Sequence, residues 1–256
     1  MHRYFIEDSA EKIYAVYQEP DLAADRNRAV LLVYPDGQEY MRSHRLYLQI
    51  AKELSRVGFH VLRFDFYGTG DSTGDHADAS LACWQDNINR CAQELIDISG
   101  TQSLSIFAAR LGATIASSVA ISSAQLQHFI ALDPVLEPST HLEGKQDQHR
   151  DMLADLNRFQ FDRSDTLANG DILGYEYSAQ LCSELRGFTF NIPQNAYQQS
   201  TALLSNRECK AVDFTAHGFD HVQSLEQSNY HWDDLAALEV LLSPGRLPAQ
   251  ISDILT

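Results

Sequence analysis

The chain has 256 residues, 44% of them hydrophobic and 10% aromatic, which is enough to bury the core of one α/β domain. Asp and Glu number 35 against 19 Lys and Arg, and the formal net charge of −16 disfavours nucleic acid and anionic membranes as partners. The N-terminal segment carries acidic residues and no long apolar core, and no apolar run reaches the ~18–20 residues of a transmembrane helix. We therefore expect a cytoplasmic protein.

The cysteines and glycines predict neither a metal site nor a nucleotide cofactor. Cys83, Cys91, Cys182 and Cys209 show no CxxC pair and no zinc spacing, so free thiols are expected. Gly68-x-Gly70 lacks the third glycine of a dinucleotide fingerprint. We expect no cofactor and no metal.

Strands and helices alternate along the first half of the chain. The predicted elements are an antiparallel strand or hairpin at 4–17, strands at 29–34, 59–65, 103–107 and 127–134, and helices at 41–57, 79–98 and 113–124. A Pro/Gly loop is predicted at 35–40, after a strand that is apolar throughout. This order predicts a doubly wound, mostly parallel sheet that binds ligands at the carboxyl ends of its strands.

The stretch 135–206 interrupts this alternation. It is polar, with weak helical patterns at 147–158 and 175–186, and it predicts a cap insertion over the sheet edge. The core is then formed by 1–134 and 207–256, with a late strand at 208–216 and a closing helix at 247–255.

A turn of small residues joins the strand at 103–107 to the next helix. Ala108-Ala109-Arg110-Leu111-Gly112 places small residues two before and two after its centre, as in the nucleophile elbow of a hydrolase. The central residue is Arg110, where a hydrolase carries Ser, Cys or Asp. A guanidinium is permanently charged and cannot attack a carbonyl. The sequence therefore predicts the scaffold of a hydrolase without its nucleophile.

Three segments together resemble the α/β-hydrolase superfamily: LLVYPDGQEYMRSHR, GFHVLRFDFYGTGDSTGD and FAARLGATIA. The chain looks most similar to small bacterial hydrolase-like proteins associated with exosortase and exopolysaccharide loci, in which an elbow arginine recurs. The resemblance implies an α/β-hydrolase fold with esterase, thioesterase or peptidase ancestry.

A serine hydrolase also needs an oxyanion hole, a histidine base and an acid that orients it. Backbone N–H groups of Leu111 and of the loop Asp36-Gly37-Gln38 are the candidate oxyanion donors. His217 and His221 are the candidate bases, since they follow a late predicted strand in a glycine-containing loop. Asp213 or Asp220 would orient one of them, and His231 is a further candidate base. Gly70-Asp71-Ser72-Thr73-Gly74 matches G-x-S-x-G, but no helix follows at once, so we interpret it as a loop coincidence.

Arg110 has two interpretations. In the first, its planar guanidinium binds the carboxylate or phosphate of a ligand. In the second, it forms a structural salt bridge with a neighbouring acid such as Asp133. Two functions therefore remain open. One is a hydrolase or acyl-transfer protein for a small ester, thioester or amide, and the other is a non-hydrolytic protein that binds an anionic ligand.

Overall fold

A mixed β-sheet carries the elbow at its carboxyl edge. In the computed structural model, the described residues are 1–8, 11–121, 125–161, 163, 170–205, 214–225 and 230–256. Their strands are β1 (His2–Asp8), β2 (Glu11–Gln18), β3 (Arg28–Val33), β4 (Phe59–Phe64), β5 (Ser103–Ala109), β6 (Gln125–Leu132), β7 (Asp171–Ile172), β8 (Tyr175–Glu176), β9 (Gln199–Leu204) and β10 (His221–Ser224). Their α-helices are α1 (Gly37–Arg56), α2 (Leu81–Ser99), α3 (Arg110–Ser117), α4 (Pro138–Ala154), α5 (Ala179–Gly187) and α6 (Leu247–Leu255).

The strand order in the large sheet is β1-β2-β4-β3-β5-β6-β9-β10. β1 and β2 form an antiparallel hairpin, β2 runs antiparallel to β4, and the strands from β4 to β10 in this order are parallel. This architecture confirms the predicted α/β-hydrolase fold. β3 and β5 lie at its centre, so the loop after β3 and the elbow after β5 are neighbours.

Two apolar layers cover the sheet, because successive side chains of a strand point to opposite faces. On β3, Leu31 and Val33 pack in the layer under α2 and α3, whereas Val30 and Leu32 pack under α1 and α6. The strand is therefore buried on both sides, which explains its continuous apolar sequence.

Two helix boundaries differ from the sequence prediction. Residues 37–40, predicted as loop, form the first turn of α1. α3 covers Arg110–Ser117 rather than 113–124. The Ser117 and Ser118 hydroxyls donate to the backbone carbonyls of Thr114 and Ile115, and such side-chain bonds compete with helix continuation.

The segment after β6 also differs from the prediction. α4 begins earlier than predicted, with Pro138 in its first turn, and a β7–β8 hairpin precedes α5, whose N-cap is Ser178. β9 belongs to the main sheet, so the predicted cap range of 135–206 is too long at its end. α5 contacts the first turn of α2, since the Glu184 side chain accepts a hydrogen bond from the Leu81 N–H.

In the C-terminal part of the chain, the strand prediction is contradicted at residues 214–216 and the helix prediction is confirmed. Within the predicted strand at 208–216, residues 208–213 lie outside the described residues, and Phe214–His217 is a 3₁₀ helix. The edge strand is β10, whose short polar sequence HVQS carries little apolar signal. The closing helix is confirmed as α6. Among the described residues no helix is both long and apolar enough to span a membrane.

Candidate functional site

The elbow keeps the strained backbone of its motif although its centre is arginine. Arg110 has a φ of +52°, in the left-handed region that non-glycine residues rarely adopt. A Cβ added to Gly112 would lie 2.0 Å from the Tyr34 carbonyl oxygen at the end of β3. Gly112 is therefore required for the close approach of α3 to the central strand. The small residues of this turn have the packing role that the sequence predicted.

The Arg110 side chain forms a two-point ion pair with Glu39 of α1. Its Nε donates to Glu39 Oε2 at 3.1 Å, and its Nη2 donates to Oε1 at 3.3 Å. The guanidinium carbon lies 5.3 Å from the ring centroid of Trp232, within cation–π range. Asp133, the acid predicted from the sequence, accepts from Arg110 Nη1 through its backbone oxygen at 3.4 Å, whereas the paired acid Glu39 was not predicted.

Lys145 and Asp233 complete a group that we call the elbow charge cluster: Glu39, Arg110, Lys145 and Asp233. Lys145 Nζ lies 2.9 Å from Glu39 Oε1 and 3.5 Å from Asp233 Oδ1, and Arg110 Nη2 lies 3.6 Å from the same Asp233 oxygen. The side chain of Glu39 is 5% exposed, whereas that of Asp233 is 80% exposed. Two positive and two negative charges thus balance, one acid buried and the other at the surface.

The pKa values of two groups follow from this arrangement. Burial alone would raise the pKa of the Glu39 carboxyl, but Arg110 and Lys145 outweigh it and hold that pKa well below its usual range. Burial lowers the pKa of His141 to about 4, with Arg110 and Lys145 acting in the same direction and Glu39 and Asp233 opposing it. Glu39 is therefore ionised and His141 is neutral near neutral pH.

Asp133 fixes the floor of the site. Its carboxylate accepts hydrogen bonds from the Ser205 N–H at 2.7 Å, the Ser205 hydroxyl at 2.5 Å and the Trp232 indole N–H at 2.7 Å. Asp133 therefore lies next to Arg110 as predicted, but its carboxylate holds Trp232 in place and does not pair with the guanidinium.

A cavity of about 360 Å³ opens beside the guanidinium. Arg110, Asp133, His231, Trp232 and Asp233 are among its lining residues. His231 follows β10, the last strand among the described residues, and it comes after Arg110 and Asp133 in the chain, which agrees with the order nucleophile, acid, His of an α/β-hydrolase. His231 was the third histidine considered, and it is the one that reaches the cavity.

The two preferred histidines lie elsewhere. His217 ends the 3₁₀ helix after β9, with its Nδ1 3.4 Å from the Phe190 carbonyl oxygen. His221 pairs with Thr201 at the start of β10 and lines a different cavity, together with Arg246 of the C-terminal region. Neither lines the Arg110 cavity. Asp213 lies outside the described residues, and the carboxylate of Asp220 accepts from the Ser200 N–H and hydroxyl.

The predicted oxyanion loop makes its side-chain contacts with other parts of the chain. Asp36 accepts a hydrogen bond from the Tyr177 hydroxyl at 2.6 Å and lies 2.9 Å from His76 Nε2. Gly37 has a φ of +58°, and the Gln38 amide donates to the Leu238 carbonyl oxygen. Leu111, the other candidate donor residue, is buried in the first turn of α3.

His76 was not recognised from the sequence, because its partners come from distant segments. Its Nδ1 lies 3.0 Å from the Glu176 carbonyl oxygen, and its Nε2 faces Asp36, so both ring nitrogens meet acceptors. Burial opposes protonation of His76, but the Asp36 carboxylate outweighs it and raises the pKa of the imidazole. The pKa of Asp36 is lowered, since His76 and Tyr177 outweigh the effect of its burial. This buried pair ties the cap hairpin to the core.

The remaining sequence motifs are structural in the described residues. Ser72 donates to the Asp65 carbonyl oxygen at 2.6 Å and accepts from the Tyr14 N–H at 2.9 Å, which agrees with the loop interpretation. Cys83, Cys91 and Cys182 are free thiols, and Cys209 lies outside the described residues. Within the described ranges, no group of three or more His, Cys, Asp or Glu side chains could hold a metal ion.

Comparison with known proteins gives a family and a fold. A family profile described as serine aminopeptidase, S33, matches residues 26–161. Est1E from Butyrivibrio proteoclasticus is 12% identical with a TM-score of 0.64, covering 99% of this chain and 97% of that chain. A soluble variant of monoglyceride lipase from Saccharomyces cerevisiae, in complex with a substrate analogue, is 11% identical with a TM-score of 0.62, covering 99% and 94%.

A third similar structure is that of the bottromycin epimerase BotH in complex with bottromycin A2. It is 15% identical with a TM-score of 0.58, covering 100% of this chain and 99% of that chain. Among curated proteins, none matches the chain. At these identities the structural likeness establishes the fold alone.

Proposed function

Because the chain belongs to the serine aminopeptidase S33 family of α/β-hydrolases, we propose that it keeps the binding site of a hydrolase without the nucleophile. The observation that carries this proposal is the two-point ion pair between Arg110 and the buried Glu39. A guanidinium cannot attack a carbonyl, and this one fills the centre of the elbow. The proposed function is the non-hydrolytic binding of an anionic small molecule, a carboxylate or a phosphate.

The shape of the site supports binding on one side of the guanidinium. On the side of the cap, Asp36, Glu39 and His141 surround a cavity of about 20 Å³, which has room for about one water molecule. On the side of Trp232 and His231, the cavity measures about 360 Å³ and is lined by Arg110. That volume lies in the range of small-molecule sites, roughly 300–1,000 Å³. The ligand's anionic group therefore approaches Arg110 from the Trp232 side.

A second candidate function is hydrolysis or acyl transfer on a small ester, thioester or amide. The observation that favours it is the position of His231 after the last strand and on the cavity wall. In this case His231 would activate a water molecule, because the elbow supplies no nucleophilic side chain. The similar lipase was crystallised with a substrate analogue, and the similar epimerase indicates that a related fold also serves a reaction other than hydrolysis.

Turnover of p-nitrophenyl acetate separates the two functions, and labelling with a fluorophosphonate tests whether the elbow lacks a nucleophile. Wild-type protein, Arg110→Ser and Arg110→Ala are treated with the reagent and measured by intact mass and site mapping. We expect no adduct on the wild type or on Arg110→Ala, and an adduct at position 110 of Arg110→Ser. Arg110→Ala is the matched control, since it removes the guanidinium without supplying a hydroxyl. A stoichiometric serine adduct on the wild type, or turnover of p-nitrophenyl acetate, would refute the non-hydrolytic proposal.

Three finer expectations remain predictions. They are the association with exosortase or exopolysaccharide loci, the cytoplasmic location, and a small molecule rather than nucleic acid or a membrane as the partner. The expectation about the partner rests on the formal charge of −16.

A further inference from the structure

We propose that the Asp233 carboxylate occupies the ligand's own anion position, and that a ligand carboxylate binds by displacing it. The proposal rests on the proposed anion-binding function and specifies its ligand as a singly charged carboxylate. The relevant atoms are Asp233 Oδ1, which lies 3.6 Å from Arg110 Nη2 and 3.5 Å from Lys145 Nζ. One carboxylate oxygen of the chain thus bridges the two cations at the edge of the cavity.

Asp233 is held more loosely than the other acid of the elbow charge cluster. Glu39 lies 2.9–3.3 Å from its cationic partners and is buried. The Asp233 contacts are longer than the ~2.7–2.9 Å of strong charge-assisted hydrogen bonds, and its side chain is 80% exposed. An exposed pair of this kind contributes little and exchanges readily with other anions. Glu39 is therefore the fixed counter-ion, and Asp233 is the exchangeable one.

Only the side chain of Asp233 has to move, because both neighbours are anchored. The Trp232 indole N–H donates to Asp133, and the Asp234 side chain accepts from the Ala236 N–H in a capping contact. Rotation of the Asp233 side chain away from Arg110 therefore frees one contact of each cation without rearranging the loop, while Lys145 Nζ keeps its contacts with Glu39, Gln148 and the Trp232 carbonyl oxygen.

The charges favour a monoanion. With Asp233 turned away, Arg110 and Lys145 carry two positive charges against the one negative charge of Glu39. A single carboxylate restores the balance within the elbow charge cluster. Asp133 and Asp234 also line the cavity, and their charges oppose a phosphate dianion about twice as strongly as a monocarboxylate. Carboxylate also matches the geometry of the group it replaces.

Acetate binding to three proteins tests the proposal. Wild type, Asp233→Asn and Asp234→Asn are titrated with sodium acetate at constant ionic strength, and ligand-observed NMR gives the Kd. Asp234→Asn is the matched control: it removes the same charge one residue away, and asparagine preserves the cap. We expect Asp233→Asn to bind acetate about two- to five-fold more tightly than both other proteins, as loss of a weak internal competitor requires.

Each contrary outcome has a separate meaning. An equal gain in both variants would show a general charge effect and would overturn the displacement while leaving anion binding intact. A larger gain for inorganic phosphate than for acetate in Asp233→Asn would overturn the monocarboxylate assignment. No binding of either anion by any of the three proteins would overturn anion binding itself, whereas the fluorophosphonate experiment tests the missing nucleophile independently.

Discussion

Replacing Glu39 by glutamine removes one buried negative charge and nearly preserves the side-chain volume. In the wild type this carboxylate faces Arg110 through two hydrogen bonds and Lys145 at 2.9 Å. In Glu39→Gln, two cations remain within the elbow charge cluster, and the exposed Asp233 is their remaining acid in that cluster. The variant therefore measures how strongly the fold depends on the ion pair that replaces the nucleophile.

The expected loss of stability is large for a single substitution. Removing one partner of a buried ion pair costs about 3–5 kcal/mol, because the other partner is left uncompensated. For chains near this length, each kcal/mol changes Tm by roughly 2–4 °C, so Tm should fall by about 6–20 °C. The difference in stability between the wild type and Glu39→Gln should also depend on pH. The lowered pKa of Glu39 stabilises the fold above ~4.3, the unfolded value, and that contribution is lost as pH falls through the lower folded pKa.

Thermal unfolding of the wild type and Glu39→Gln at pH 7 and in steps below pH 4 measures both effects. Glu143→Gln is the matched control, because Glu143 is an exposed glutamate of α4 and its loss should change stability by no more than ~0.5 kcal/mol. The two melting temperatures should converge as the pH falls. A deficit at pH 7 below about 1 kcal/mol, or one that does not shrink in acid, would refute the assigned role of the pair.

Two further substitutions test the elbow and the cap. Gly112→Ala should lower Tm by roughly 3–12 °C, because the added Cβ would meet the Tyr34 backbone oxygen. In the control Gly144→Ala on α4, the added Cβ meets nothing within 4 Å, and the free energy of unfolding should rise by about 0.5–1 kcal/mol. Similar melting temperatures of the two variants would contradict this. His76→Asn should lose the ion pair with Asp36. In urea unfolding, the wild type should therefore have a higher free energy of unfolding than the variant, with the full difference below pH ~6.5 and a smaller one as pH rises through the raised pKa of His76. An advantage that stays constant from pH 5 to ~9 would count against a protonated His76.

The parallel core could be predicted from the sequence because its signals are local. The continuous apolar run of β3 and the small residues of the elbow each lie within a few residues, and both are confirmed. β10 was missed because an edge strand with the sequence HVQS buries little. α3 ended early because serine hydroxyls bond to the preceding turn, which a count of small residues does not capture.

The site was only partly predictable because its pairings are not local. Arg110 was recognised from the motif, but Glu39 lies 71 residues before it and comes from what the sequence indicated to be a loop. Ion pairs between distant segments leave no periodicity, so Lys145 and His76 also gave no signal. The proposed acid, Asp133, was correctly placed near Arg110, but the Ser205 backbone and the Trp232 indole donate to its carboxylate at 2.7 Å each.

The position of Trp232 gives the site an intrinsic optical signal. The chain has two tryptophans, and Trp84 is enclosed in an apolar layer with its indole N–H on the Tyr67 carbonyl oxygen. Trp232 instead lies close to two guanidinium groups, with the guanidinium carbons of Arg42 and Arg110 5.7 Å and 5.3 Å from its ring centroid. Indole emission shifts with the local electric field, so one of the two emitters reports on the elbow and the other on the core. Changes of charge in the elbow charge cluster should thus be measurable by fluorescence in the unlabelled protein.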